Sequence, residues 1–210
     1  MQGVAYLFNM QYDYCMQKEL QEISNTVLGY TFRGAITNDP IGDIFVVQAK
    51  NIAINEDITG TSSLVRVSSQ PIRNPYFLEV NDILIVSRGS GHGSFRSSVF
   101  ISNNKNVIAS SSIHIIRITD VTVLPKYVSL YLNSDEGQKA LMQVITGGSY
   151  IQSILVKNLA DFKIPIPPIH IQKSIIALHE NINQQQKILE RKKELKQNII
   201  NASFTNLITK

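Results

Sequence analysis

Cysteine is nearly missing from this chain and tryptophan is missing altogether, with one Cys, Cys15, and no Trp in 210 residues. A lone cysteine cannot close an internal disulfide, and it suits a reducing compartment. With a single thiol and with His92, His114, His170 and His179 at no ligand spacing, a zinc site is not expected. No apolar run approaches the roughly 20 residues that span a bilayer. The opening MQGVAYLFNMQYDYC has no basic residue ahead of its short apolar run, which makes a poor secretion signal. A cytoplasmic protein without a membrane segment is therefore the expectation. Acidic residues are missing locally: none lies between Asp82 and Asp120, while Arg88, Arg96, Lys105 and Arg117 supply four positive charges there. Also missing are a GxGxxG fingerprint, the Lys-Ser/Thr ending of a phosphate loop, and a recognisable setting for a serine or cysteine nucleophile. No catalytic residue, metal ligand or cofactor can be assigned from these residues.

What is present fits one folded domain and an appendage. A hydrophobic fraction of 43% excludes a largely disordered chain. The net charge is +4, yet seven of the 20 basic and three of the 16 acidic residues lie from Ile169 onward, leaving thirteen of each in the preceding part. The body is thus formally neutral. Charge supports nucleic-acid binding only where it clusters on one face, so the acid-free stretch carries more weight than the overall sign.

Taken in order, residues 1–25 form an N-terminal segment, with Met16, Leu20 and Ile23 at helical spacing and a short helix expected from about Tyr14. VLGYTFRGAI reads as strand, turn, strand. IFVVQAKNIAI, SLVRVS, YFLEV, ILIVS, FRSSVFI, NVIAS and SIHIIRIT follow as β-rich segments between polar loops, with Asn81-Asp82 as a turn. Character changes at Pro125, which fits the first turn of a helix, and Ser134 caps a second helix with Asp135 and Glu136 in its opening turn. A helical turn is expected within residues 151–159, and DFKIPIP is extended. The fold class is α+β: a strand-rich body with small helices over residues 26–167, then one long C-terminal helix over 168–210.

Pro165, Pro167 and Pro168 hold the chain extended, and after them nothing breaks a helix for more than 40 residues. Ile171, Ile175, Leu178, Ile182, Leu189, Leu195 and Ile199 make an apolar stripe along it. Gln184, Gln185 and Gln186 interrupt that stripe with a polar layer. A stripe this long calls for a partner helix, from its own copy or another protein; folding back onto the body is the alternative.

Two loops stand out. RGSGHGSFR, residues 88–96, has three glycines in five positions, which let a backbone and the side chains of Arg88, His92 and Arg96 come close to a nucleic acid; a tight strand connection is the plainer reading. GGSYIQSI, residues 147–154, frees the backbone beside Tyr150, Gln152 and the following Lys157, or simply ends a helix. NPYF, residues 74–77, is similar to the Asn-Pro-Pro-Phe/Tyr box of amino-methyltransferases but lacks the second proline.

VLGYTFRGAI, VVQAKNI, FLEVNDILIVSRG, LPKYVSLYLNSDEGQKALMQ, GGSYIQSI and DFKIPIPPIHIQKSII together resemble, in order and over roughly residues 26–210, the DNA-specificity (S) subunits of type I restriction-modification systems. Such subunits usually carry two target-recognition domains, whose helices pair antiparallel and space two half-sites; this chain has one domain and one helix. The resemblance implies a non-catalytic subunit that binds double-stranded DNA as a homodimer on a split inverted repeat. It also implies docking of methyltransferase (M) subunits, which hold the S-adenosylmethionine, and in some systems a restriction (R) subunit. Arg33, Lys50, Arg88, His92, Arg96, Lys105, Tyr150, Gln152 and Lys157 are the candidate DNA contacts, chosen by residue type and loop placement. The alternatives are a stand-alone DNA methyltransferase fragment, suggested by NPYF, and a coiled-coil adaptor that does not read DNA.

Overall fold

The structure is a computed structural model and describes residues 15–68, 76–91, 93–147 and 152–208. It is α+β, with a long C-terminal helix. Two adjacent strands form its centre, β5 (Ile83–Val86) and β9 (Ile113–Ile118), paired antiparallel with Leu84 opposite Ile115 and Ile85 opposite His114. All four residues of β5 and the first four of β9 are buried, which is what an uninterrupted β-branched run does when both faces of a sheet are covered. β2 (Ser24–Leu28) and β7 (Ser97–Val99) complete a sheet of order β2-β9-β5-β7. A second sheet, β4-β3-β8, consists of β3 (Ile44–Val47), β4 (Val65–Val67) and β8 (Val107–Ala109), with β3 and β8 parallel.

The main core lies between these sheets, where Val47, Leu84, Val86, Phe100, Val107, Ala109, Ile113 and Ile115 share one cluster. Alternation puts Ile83 and Ile85 on the opposite face, which is covered by α2 (Pro125–Asn133) packing on β5 and β7. Pro125 opens α2 at its first turn, and the Ser134 hydroxyl accepts the Gly137 N–H at 3.1 Å to cap α3 (Asp135–Val144), as the capping residues predict.

The N-terminal segment differs from the expected helix. Met16–Glu19 is a strand, β1, pairing antiparallel with β12 (Lys163–Ile166), and only Leu20–Ile23 is helical, as the single turn α1. Leu20 and Ile23 are buried, so the apolar spacing was real but covers one turn. Residues 16–25 are therefore woven into the body. YFLEV likewise contributes a single bridge, Phe77 to Ile108, where a strand was expected, and VLGYTFRGAI leaves the sheet after Leu28 with only the Tyr30 to Ser110 bridge beyond.

The chain divides into two compact units, Met1–Gln172 and Lys173–Lys210. The body extends past the expected boundary at 167 because the Gln172 side chain is fully buried. Its Oε1 accepts the Leu124 N–H at 2.9 Å, and its Nε2 donates to Thr122 and Pro167 carbonyls at 2.9 and 2.8 Å. The last helix, α5 (Ile169–Ile208), has 40 residues, which at 1.5 Å each span about 60 Å. Ile175, Leu178, Ile182, Leu189, Leu195 and Ile199 are exposed.

Asp82 supports the turn into β5. Its carboxylate, 1% exposed, accepts Nε and an Nη of Arg117 at 2.8 and 2.7 Å and the Glu79 N–H at 2.8 Å. Arg117 also reaches Glu79 at 2.8 Å, and Asp82 holds its guanidinium more strongly protonated than usual, against a smaller opposing effect of burial. Removing Asp82 takes two charge-assisted hydrogen bonds from Arg117, which keeps Glu79, and one from the Glu79 N–H. Asp82→Ala is expected to lower stability by about 1.5–3 kcal/mol, measured by chemical denaturation.

Candidate nucleic-acid interface

The turn at residues 110–112, between β8 and β9, gathers the ends of several strands. Ser110 N–H donates to the Val47 carbonyl at the end of β3 (2.8 Å), Tyr30 N–H to Ala109 (2.7 Å), Gly29 N–H to Ile113 (3.0 Å), and Ser87 N–H to Ser112 (2.8 Å). The loops that follow β2, β3 and β5 therefore leave from one edge. Gly29 is required there, because a Cβ would sit 2.1 Å from the Ser110 carbonyl oxygen.

Two segments that the sequence singled out meet at this edge. Arg88–Gly89 (β6), Thr146–Gly147 (β10) and Gln152–Ser153 (β11) form a small sheet of order β10-β11-β6, with Gln152 opposite Gly89 and Ser153 opposite Arg88. Ile154 then fastens the segment to the central sheet: its N–H donates to Ser87 (2.9 Å), and its carbonyl accepts Nε2 of His114 (2.7 Å). His114 is thus packed, and burial lowers its pKa despite that carbonyl, which raises it. Its Nδ1 and the Gln152 Oε1 are buried without a hydrogen-bond partner among the described residues.

Arg33 lies in the loop after β2, Lys50 in the 3-10 turn Ala49–Asn51 after β3, and Arg88 in β6; all three are exposed. Lys157, also exposed, stands in the short helix α4 (Val156–Ala160) just beyond Ile154. None of these four pairs with a carboxylate among the described residues. A cavity of about 270 Å³ between Lys50 and residues 110–112 is lined also by Ile36, Gln48 and Ala49. His92 and Tyr150 lie outside the described residues.

Arg96 and Lys105 stand differently. The Arg96 guanidinium is half-buried and donates to the backbone carbonyls of Ile52 and Ala49 at 3.0 and 3.3 Å, which braces the turn carrying Lys50. Lys105 is exposed but at the other end of β8, since Asn106 accepts the Phe45 N–H at the start of β3. There it borders an open cleft of about 660 Å³ with Phe77, Glu79 and Arg117. The acid-free stretch is consequently no single patch. Strand reversal sends Arg88 to one edge and Lys105 and Arg117 to the other, and Arg117 is neutralised by acids from outside the stretch. Tyr76 of the NPYF motif packs edge-on to Tyr30, centroids 5.5 Å apart, in a small apolar cluster.

Sequence reasoning missed the turn at residues 110–112, although SSS between two strands is a signal for a turn, and it missed Gln138. The Gln138 side chain, 4% exposed, accepts the Gly93 N–H at 3.1 Å and donates to the carbonyls of Phe95 and Leu132 at 3.1 and 2.6 Å.

Exposed cations without a carboxylate partner among the described residues, gathered with polar strand ends on one edge of a strand-rich body, are features of a nucleic-acid interface. The chain belongs to the type I restriction modification DNA specificity domain family, which it matches over residues 15–197. That family recognises DNA sequence and is not catalytic. Its fold is similar to that of the HsdS subunit from Thermoanaerobacter tengcongensis, at 19% identity and TM-score 0.58 over 86% of this chain and 40% of that one. It is also similar to a chain solved for the structural basis of complex assembly and conformational transition of the type I R-M system (20%, 0.61, over 89% and 44%). The S subunit of a type I restriction-modification system from M. genitalium is a third (14%, 0.54, over 85% and 41%). This chain thus spans about two fifths of the length of each. No curated protein matches it. Among the described residues no helix is long and apolar enough to cross a membrane.

The two loop arginines should separate on stability. Arg96→Met, which leaves two carbonyls without their charged donor, is expected to cost about 1–3 kcal/mol, and Arg88→Met less than about 0.5 kcal/mol, both read from denaturant midpoints.

Proposed function

We propose that this chain is the sequence-specific DNA-recognition subunit of a type I restriction-modification complex, acting in the cytoplasm and reading one half of a split site. The observation that carries this reading is the convergence of Arg33, Lys50, Arg88 and Gln152 on one edge, where the exposed cations have no carboxylate partner among the described residues. The exposed Arg88 suits guanine in the major groove, while Lys50 and Lys157 suit phosphates. The exposed apolar residues of α5 suit a second copy, giving a two-fold dimer on an inverted repeat. Methyltransferase subunits dock on this helix and methylate adenine with S-adenosylmethionine that they, and not this chain, hold; a nuclease subunit joins where the system restricts.

Selection of random duplexes by the purified chain is expected to return a split inverted repeat. Arg88→Ala with Lys157→Ala should weaken binding at least tenfold and lower the slope of log K against log salt by about one for each phosphate left without its cation. Removing residues 183–210 should convert a dimeric mass in solution to a monomeric one. No methyl transfer should occur until an M subunit is added. Binding indifferent to sequence and to both substitutions would overturn the recognition role of these loops, and methyl transfer by the chain alone would overturn the non-catalytic reading.

A further inference from the structure

Resting on that reading of the edge, we propose that Gln138 is a positioning residue for DNA recognition, whose carboxamide sets the glycine-rich turn and through it the presentation of Arg88. The residue lies in α3, more than 40 positions from the loop it holds. It is buried and its amide is matched on every side: Oε1 takes the Gly93 N–H, and the two hydrogens of Nε2 go to Phe95 and Leu132 carbonyls. An amide that donates twice and accepts once in a buried site has no equivalent among the other side chains of its length.

The loop needs this brace. Gly91 and Gly93 have φ of +133° and +81°, a region that glycine enters without choosing a single conformation. Local ties are few: Ser94 N–H donates to Gly91 at 3.1 Å, and the Ser94 hydroxyl accepts Ser90 N–H at 3.2 Å. Both lie inside the loop and do not tie its tip to the body, whereas its base is held by the pairing of Arg88–Gly89 with β11 and by the Val86 N–H donating to Arg96 at 2.9 Å. Gln138 is the described contact that ties the tip to a helix, while Phe95, fully buried, anchors its far end. α3 is itself capped by Ser134, whose hydroxyl accepts the Gly137 N–H at 3.1 Å. The geometry of the turn is thus set by a group that does not touch DNA. Specificity, which needs base contacts within a few tenths of an ångström, should depend on it, whereas phosphate contacts tolerate movement.

The test compares a duplex selected from a random pool by the parent chain with a scrambled duplex of equal length. Gln138→Met keeps length and removes all three hydrogen bonds; Gln138→Glu keeps the acceptor and replaces the donors by a carboxylate facing two carbonyls. Leu141→Ala, in the same helix, serves as a control that loses packing alone. Both Gln138 variants should lower the selected-to-scrambled affinity ratio at least tenfold, leave scrambled binding and its salt slope unchanged, and speed exchange of the Gly93 amide. Leu141→Ala should lower the melting temperature without changing the ratio. An unchanged ratio in either folded Gln138 variant, or an equal loss in Leu141→Ala, overturns the proposal. Arg88→Ala tests the underlying reading separately. If it lowers the ratio and the Gln138 variants do not, only the positioning role fails. If neither does, the loop is not the recognition element and both fail. A loss in the Gln138 variants alone keeps the turn as the recognition element and removes Arg88 as its contact.

Discussion

Ile154 is held by both of its backbone polar groups, which fasten the segment carrying Gln152 to the central sheet. Its N–H donates to the Ser87 carbonyl and its carbonyl accepts the Nε2–H of the buried His114. That double tie reinforces the two-residue pairing of this segment with β6, since pairs so short are marginal in water. Burial lowers the His114 pKa, against the Ile154 carbonyl that raises it, while Nε2 donates to that carbonyl. The strand pairing of Gln152 and Arg88 is therefore secured from the middle of the central sheet.

Much of the fold was legible because the sequence punctuates it strongly. Pro125, Ser134 and the prolines at 165, 167 and 168 mark helix ends by chemistry that tertiary contacts do not override. The apolar runs ILIV and IHIIRI had to be buried strands. The strand-poor pieces were harder. YFLEV and VLGYTFRGAI alternate well enough to suggest strands, yet YFLEV supplies one bridge and VLGYTFRGAI, beyond the Val27 and Leu28 that end β2, another, with Tyr30, Phe32, Tyr76 and Phe77 packed in an apolar cluster. Near the N-terminus, Met16, Leu20 and Ile23 fit a helix by spacing, but pairing with β12 captured Met16–Glu19 for a strand.

The candidate interface was legible by residue type and not by proximity. A stretch of 37 residues without an acid, Ile83 to Thr119, looks like a basic patch in one dimension. Folded antiparallel, it distributes its charges to opposite ends of a sheet, and each end draws on partners that sequence distance hides: Asp82 for Arg117, the Ala49 and Ile52 carbonyls for Arg96. Glycines were the better guide. Both glycine-rich segments came together, since positions that permit close backbone approach are also where loops can pack against one another. Gln138 gave no signal, because a buried amide that bonds only backbone atoms has no pattern in the chain.

Apart from the hydroxyl contact of Ser110 with Ser112, the described bonds that hold this edge share one property. Gln138 holds Gly93 N–H, Phe95 carbonyl and Leu132 carbonyl; Arg96 holds Ala49 and Ile52 carbonyls; His114 holds the Ile154 carbonyl; and the Ser87 and Ser110 N–H groups donate to the Ser112 and Val47 carbonyls. Each of these terminates on a backbone atom, and a backbone atom is present whatever the side chain. Arg33, Lys50 and Arg88, by contrast, have exposed side chains without a carboxylate partner among the described residues. Replacing them changes what the edge can bind and costs the fold little, as exposed substitutions generally do. A support that grips the main chain and a contact layer carried by exposed side chains can therefore vary separately. That separation lets the exposed side chains of this edge change without rebuilding the core.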